Sequence, residues 1–108
     1  MRTAAAAIPA GGTWLERQRP AHYTIQLGAD EDRTVLQQRA RALGLDKDYA
    51  IFRSERNGRA LYALIYGAFT TPTQAGSAID DMPDDWKRDN PWIRDFRGIR
   101  RAAGQSSR

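Results

Sequence analysis

The sequence predicts a single α+β domain in which four antiparallel strands and two helices follow the order β-α-β-β-α-β. Apolar residues recur with a period of two in some segments and of about 3.6 in others. An Asn-Gly pair joins two strand-like runs, and helix-capping residues stand where the period changes. Because both amphipathic helices must bury an apolar stripe, we expect them on one face of a four-stranded sheet.

The first strand and first helix are predicted from alternation and capping residues. Residues 22–27 alternate between apolar and polar side chains, as a half-buried strand does. The following helix can be capped by Asp30 or Asp32. Gly44 stands where a left-handed residue commonly ends a helix, so we expect the helix to stop there.

The central hairpin has the clearest local signal. Asn57-Gly58 lies between the β-rich runs 49–56 and 59–67, and this dipeptide favours a two-residue type I′ turn. The turn type fixes the register of the two strands, so residues that share one face can be paired. The predicted pairs on that face are Arg56 with Arg59, Ser54 with Leu61, Phe52 with Ala63 and Ala50 with Ile65.

The second helix and the last strand complete the order. Residues 71–74 form a capping box with Pro72 at the first helical position, and Pro83 ends the helix. A loop then leads to a final strand that we predict over residues 92–99. The facing of this strand stays undetermined at the level of sequence.

The flanks differ in composition and charge from the middle of the chain. We expect residues 1–20 to be a linker, residues 21–100 the folded domain and residues 101–108 a disordered tail. The net charge is +4, yet residues 21–99 contain 11 Lys/Arg and 12 Asp/Glu. Since duplex binding depends on neutralised phosphates, this balanced core argues against a dedicated DNA-binding protein.

Residues suited to catalysis or metal binding are scarce. The chain has no Cys, which excludes disulfides and thiolate zinc sites, and its single His22 begins a strand. Neither a Gly-x-Ser-x-Gly elbow nor a phosphate loop is present. The acidic residues at 80–85 lack EF-hand spacing and are interrupted by Pro83. We therefore expect no enzyme activity, no metal and no cofactor.

With both helices on one face, the other face of the sheet is predicted to be open. An exposed apolar patch there is unfavourable unless a ligand covers it, and its polar neighbours suit a sugar polymer or single-stranded RNA. The alternative is that another domain, or the flanking segment with Trp14 and Leu15, covers the patch. The predicted contact residues are Thr24, Gln26, Phe52, Leu61 and Ile65, with Arg56, Arg59 and Arg97 for an anionic substituent.

The order of four motifs resembles the SPOR (sporulation-related repeat) domain family over residues 22–99. The motifs are Tyr23-Thr-Ile-Gln-Leu27, Arg56-Asn-Gly58, Tyr62-x-Leu-x-x-Gly67 and Asn90-Pro-Trp92. The resemblance implies a ferredoxin-like fold that binds septal peptidoglycan without catalysis, on glycan strands stripped of stem peptides. It also implies a periplasmic domain of an inner-membrane protein with one membrane crossing, located at the division septum.

The resemblance also bears on individual residues. It implies that Gln26 and Phe52 contact the glycan, whereas Leu61 and Ala29 stand where related domains carry Trp and Ser. We expect weaker ring stacking and hydrogen bonding at those two positions. Stripped glycan carries a lactyl carboxylate on alternate sugars, which gives the three predicted arginines a partner.

Two other functions stay open, both on the same topology. The first is an RNA-binding domain, although the third strand lacks the Lys/Arg-Gly-aromatic pattern of such domains and the core is not basic. The second is a protein-interaction domain that uses the exposed patch. For the leading interpretation we expect a monomer that binds glycan strands and possible division-protein partners, with no nucleic acid, and a membrane link only through a region outside this chain.

Overall fold

The strands form one four-stranded antiparallel sheet with helices on both faces. The computed structural model describes residues 12–106. The elements in chain order are α1 (Gly12–Glu16), β1 (Tyr23–Asp30), α2 (Arg33–Ala42), β2 (Tyr49–Arg56), β3 (Arg59–Phe69), α3 (Pro72–Asp80), α4 (Asp84–Lys87), β4 (Trp92–Asp95) and α5 (Phe96–Ser106). The spatial order β2-β3-β1-β4 confirms the α+β class and the ferredoxin-like arrangement. No helix in this described range is long and apolar enough to span a bilayer.

Side-chain caps begin the two helices that the sequence predicted. Asp32, rather than Asp30, caps α2, since its carboxylate accepts a hydrogen bond from the Thr34 amide at 2.8 Å. Thr71 caps α3 by accepting from the Gln74 amide at 3.1 Å. The Gln74 side chain in turn accepts from the Thr70 amide at 3.1 Å, which stabilises the turn before the helix.

The hairpin between β2 and β3 has the predicted turn and register. Asn57 and Gly58 have φ values of 55° and 81°, the left-handed region that a type I′ turn requires at both positions. All four predicted cross-strand pairs are present, from Arg56 with Arg59 at the turn to Ala50 with Ile65. The local turn chemistry therefore determines which residues of both strands share a face.

Helices α2 and α3 cover the first face of the sheet, as expected. Their apolar stripes meet the inward residues of the strands in a continuous core. The buried residues of this core are Ile25, Leu27, Leu36, Ala40, Ile51, Leu64, Ala75 and Met82.

The second face is also covered, so the prediction of an open sheet face is wrong for its centre. Thr24 and Ile65 are 0 % exposed and Phe52 is 5 % exposed. The physical reason is α5, which folds back over β2 and inserts Phe96 and Ile99, both 0 % exposed, above the strands. The apolar patch is thus buried by the chain itself.

The flanking segment before β1 also covers this face. This confirms the alternative, raised from the sequence, that the segment with Trp14 and Leu15 covers the apolar patch. The buried residues on this face form a second core, which consists of Ala50, Phe52, Ala63, Ile65, Phe96 and Ile99. Trp14 and Leu15 of α1 pack against it, and the Trp14 ring contacts Phe96 edge to face, with ring centroids 5.8 Å apart. The Arg100 guanidinium donates to the backbone oxygens of Glu16 and Gln18, which joins α5 to the end of α1 and to the segment after it. Residues 12–16 are therefore helical, with Trp14 and Leu15 packed, while residues 1–11 of the predicted linker lie outside the described residues.

The C-terminal predictions need correction. The last strand ends at Asp95, not at residue 99, and residues 101–106 are helical rather than a disordered tail. The Asp95 carboxylate accepts a hydrogen bond from the Gly98 amide at 2.9 Å, as an N-cap side chain does. Phe96 and Ile99 then lie one helical turn apart on the side that faces the sheet. Residues 107–108 lie outside the described range.

The packing of α5 predicts a large loss of stability when Phe96 is truncated. Phe96→Ala removes a fully buried ring between helix and sheet, so we expect the free energy of unfolding in urea to fall by about 3–5 kcal/mol. Arg97→Ala, at the neighbouring exposed position, is the control and should change the free energy of unfolding by less than about 0.5 kcal/mol. Equal effects of both substitutions would contradict the packing of α5 on the sheet.

Candidate ligand-binding site

A groove of about 610 Å³ lies along the edge of β1, next to Trp92, the first residue of β4. Val35 and Trp92, with exposures of 44 % and 52 %, are the exposed large hydrophobic residues of the described part of the chain. Both line this groove. Single exposed hydrophobic residues are common on proteins, but their convergence on one concave surface indicates a place where a ligand binds.

The chain around Asn90 leaves room for the groove because β4 begins only at Trp92. Asn90 has a φ of 58°, and Pro91 has no amide hydrogen for a ladder bond. The last residue pair between β1 and β4 is therefore Gln26 with Trp92, and β1 continues to Asp30 without β4 beside it. This stretch of β1, which pairs with β3 but has no β4 neighbour, lines the groove.

A register shift in β1 directs two side chains to the same face. Gln26 pairs with Ile65 and Ala29 pairs with Ala63, with an irregularity between Gln26 and Gly28. Because Ala63 and Ile65 are two residues apart on β3, Gln26 and Ala29 lie on the same face although they are three residues apart. Both line the groove.

Arg94 on β4 lies beside this groove and contacts two of its lining residues, Gln26 and Trp92. Its guanidinium donates to Gln26 Oε1 at 2.8 Å and lies 5.5 Å from the Phe52 ring centroid and 5.3 Å from that of Trp92. Burial lowers the pKa of Arg94 below its usual value, and the nearby Asp95 carboxylate partly opposes this shift. Arg94 stays charged at neutral pH, so a partly desolvated cation is held between two aromatic rings.

The residues predicted on the covered face have structural roles. The Thr24 hydroxyl donates to the backbone oxygen of Tyr66 at 3.0 Å inside the protein. Ile65 and Phe52 belong to the second core, so in this conformation they are not available to a ligand, although the Phe52 ring supports Arg94. Leu61 is half-buried near the hairpin and does not line the groove.

The three predicted arginines lie elsewhere. Arg56 and Arg59 are exposed at the end of the hairpin, and Arg59 is 3.6 Å from Glu31. Arg97 is on α5 rather than on a strand, and its amide donates to the Pro20 oxygen at 3.0 Å. None of the three lines the groove.

The sequence alone does not identify Arg94 and Trp92 as site residues, because the facing of β4 depends on its pairing with β1. Thr24 pairs with Arg94 and Gln26 with Trp92, which puts both residues on the face of Gln26. The local signal was the alternation of Trp92 and Arg94 along the strand. That signal becomes informative only when the register across the sheet is known.

The far wall of the groove is polar and held by α2 and the loop after α4. The Arg39 guanidinium donates to the backbone oxygen of Asp85 at 2.6 Å and lies 3.6 Å from the Asp89 carboxylate. Exposed Asn90 adds an amide beside Trp92. Within the described residues no group of three or more His, Asp or Glu side chains is arranged to hold a metal ion. The groove thus offers ring faces together with amide and charged groups, which suits an amphipathic ligand.

Comparison with known proteins gives two findings. The family model of the SPOR domain matches residues 20–95. The chain is also similar to the cell division protein DamX of Serratia marcescens, with 28% identity over 90 residues. This match covers 83% of the chain and 42% of DamX, so the chain spans less than half the length of that relative.

The contact between Gln26 and Arg94 predicts energetic coupling between the two residues. In a double-mutant cycle of Gln26→Ala and Arg94→Ala, the unfolding free energies should show a coupling of about 1 kcal/mol, because each single change already removes the charge-assisted hydrogen bond. A cycle of Gln26→Ala with Arg56→Ala is the control and should be additive, since Arg56 lies at the hairpin end. Additivity in both cycles would refute the contact.

Proposed function

Because this chain belongs to the SPOR domain family, we propose that it is a non-catalytic module that binds septal peptidoglycan through glycan strands lacking stem peptides. The observation that supports this most directly is the groove beside Gln26, on which Val35 and Trp92 converge. Its volume of about 610 Å³ is within the range of small-ligand sites in proteins.

The groove has the groups that a sugar chain requires. The half-exposed Trp92 offers a ring face for the C–H face of a pyranose, and Val35 extends the apolar surface. The Gln26 and Asn90 amides can exchange hydrogen bonds with hydroxyl or acetamido groups. Gln26 Oε1 already accepts from Arg94, so the side-chain amide is oriented before a ligand arrives.

In this proposal the glycan passes over the edge of β1 and β4, not across the centre of the sheet. Helices α1 and α5 cover the β2 side of that face, where Phe52 and Ile65 are buried. Trp92 then supplies the aromatic platform that the family carries at the position of Leu61. Ala29, which lacks the family's hydroxyl, lines the same groove.

The relative suggests the cellular role. By its printed name DamX is a cell division protein, and we propose that this module directs a division protein to the septum. We propose further that it acts in the periplasm as part of an inner-membrane protein whose anchor lies outside this chain. In that setting it works as a monomer, and other division proteins are candidate partners.

Co-sedimentation with sacculi tests the proposal. The wild-type domain should pellet with amidase-treated sacculi, which are rich in stripped glycan, well above its level with untreated sacculi. Trp92→Ala and Gln26→Ala should each weaken binding by about tenfold, because each removes a central contact of the groove. Arg56→Ala, outside the groove, should bind like the wild type.

Failure of the wild type to pellet above the untreated control would overturn the proposal. A salt titration distinguishes the RNA-binding alternative, because affinity for RNA falls steeply with ionic strength whereas a mainly sugar-contacting site responds less. Steep salt dependence with single-stranded RNA, without binding to treated sacculi, would favour that alternative.

A further inference from the structure

We infer that Arg94 recognises the free lactyl carboxylate of the glycan and so enables this domain to distinguish stripped from peptide-bearing strands. This inference rests on the proposed function and names the residue responsible for its specificity. It replaces Arg56, Arg59 and Arg97 as the expected partner of the carboxylate, because Arg94 contacts Gln26 and Trp92, which line the groove.

The chemical difference between the two ligands is a charge. In a peptide-bearing strand the lactyl carbonyl is part of a neutral amide that joins the sugar to the stem peptide. Hydrolysis of that amide leaves a carboxylate on the same carbon. A residue that distinguishes the two strands must therefore detect a negative charge close to the sugar ring, and a guanidinium binds a carboxylate through charge-assisted, often bidentate hydrogen bonds.

The guanidinium of Arg94 is held in place and retains donors for a ligand. Gln26 fixes one N–H group of the guanidinium. The ring centroids of Phe52 and Trp92 lie 5.5 Å and 5.3 Å from the central carbon of the guanidinium. The hydrogen bond to Gln26 uses one of the several N–H donors of the group. A pre-positioned side chain loses less conformational entropy on binding than a free one.

The surroundings of Arg94 favour an anion from outside the protein. Arg39, Arg59 and Arg88 each form an ion pair with a carboxylate, whereas within the described range Arg94 forms none and has the Asp95 carboxylate as a more distant neighbour. Its burial leaves the charge partly desolvated, so a carboxylate that pairs with it is screened less than one on an exposed arginine.

Arg94 is within reach of a sugar on Trp92. It lines a hollow of about 400 Å³ with Trp92, Tyr23 and Asp95, on the β4 side of the site. Trp92 lines both this hollow and the groove along β1. A pyranose stacked on Trp92 would thus have the groove on one side and the guanidinium on the other, where its lactyl substituent can extend.

The test uses two end-labelled stripped glycans of the same length, one with free lactyl carboxylates and one with these groups converted to neutral methylamides. Fluorescence anisotropy should show that the wild type binds the free acid about tenfold or more tightly. Arg94→Gln, which keeps an amide donor without the charge, should bind both glycans equally, near the wild-type affinity for the methylamide. Arg94→Lys should recover part of the preference.

Arg97→Gln is the matched control, because it removes the same charge from an exposed site and should keep the full preference. Equal binding of both glycans by the wild type, or an unchanged preference in Arg94→Gln, would overturn the inference and leave the proposed function intact. Binding of neither glycan would refute both. If Arg94→Gln fails to fold, the wild type still tests the inference, because equal binding of the free acid and the methylamide by the wild type would overturn it.

Discussion

Burial of the second face of the sheet beneath α5 is the constraint on which the position of the candidate binding site depends. Phe96 and Ile99 complete a core with Phe52 and Ile65, and Trp14 closes it from the N-terminal side. Without these residues the apolar sheet face would be in contact with water, which costs free energy in proportion to the exposed area. Because the helices lie over the β2 side, a ligand has access to the β1–β4 edge and not to the centre.

Features determined by neighbours in sequence could be predicted well. The Asn57-Gly58 turn specified the register of β2 and β3, and Asp32 and Thr71 marked the starts of α2 and α3. Each depends on hydrogen bonds or dihedral angles within a few residues. The order of these elements, with their motifs, also identified the family.

Features determined by distant contacts could not be predicted. The segment from Trp92 to Ile99 is compatible with a strand, but Phe96 and Ile99 also have helical spacing, and the choice depends on the core that α5 fills. The same limit explains the error about the open face. An apolar pattern on a strand indicates that something covers it, yet it does not say whether a ligand or the chain itself does so.

The candidate site shows the same division. Gln26 was predicted from β1 alone and lies in the groove, whereas Arg94 and Trp92 required the register between β1 and β4. Arg97 was chosen because the last strand was predicted to extend to Ile99, whereas Arg56 and Arg59 lie at the end of the hairpin, as predicted. Once β4 ends at Asp95, Arg97 belongs to α5, and Arg94 is the cation beside Gln26.

We propose that stripped glycan binds at the β1–β4 edge while α5 stays packed on the sheet. This can be measured by titrating the domain with purified stripped glycan and following the amide chemical shifts. We expect shifts concentrated at Gln26, Ala29, Asn90, Trp92 and Arg94, with the helical shifts of α5 preserved. Shifts centred on Phe52 and Ile65 with loss of the α5 helix, or no shifts at saturating glycan, would contradict it.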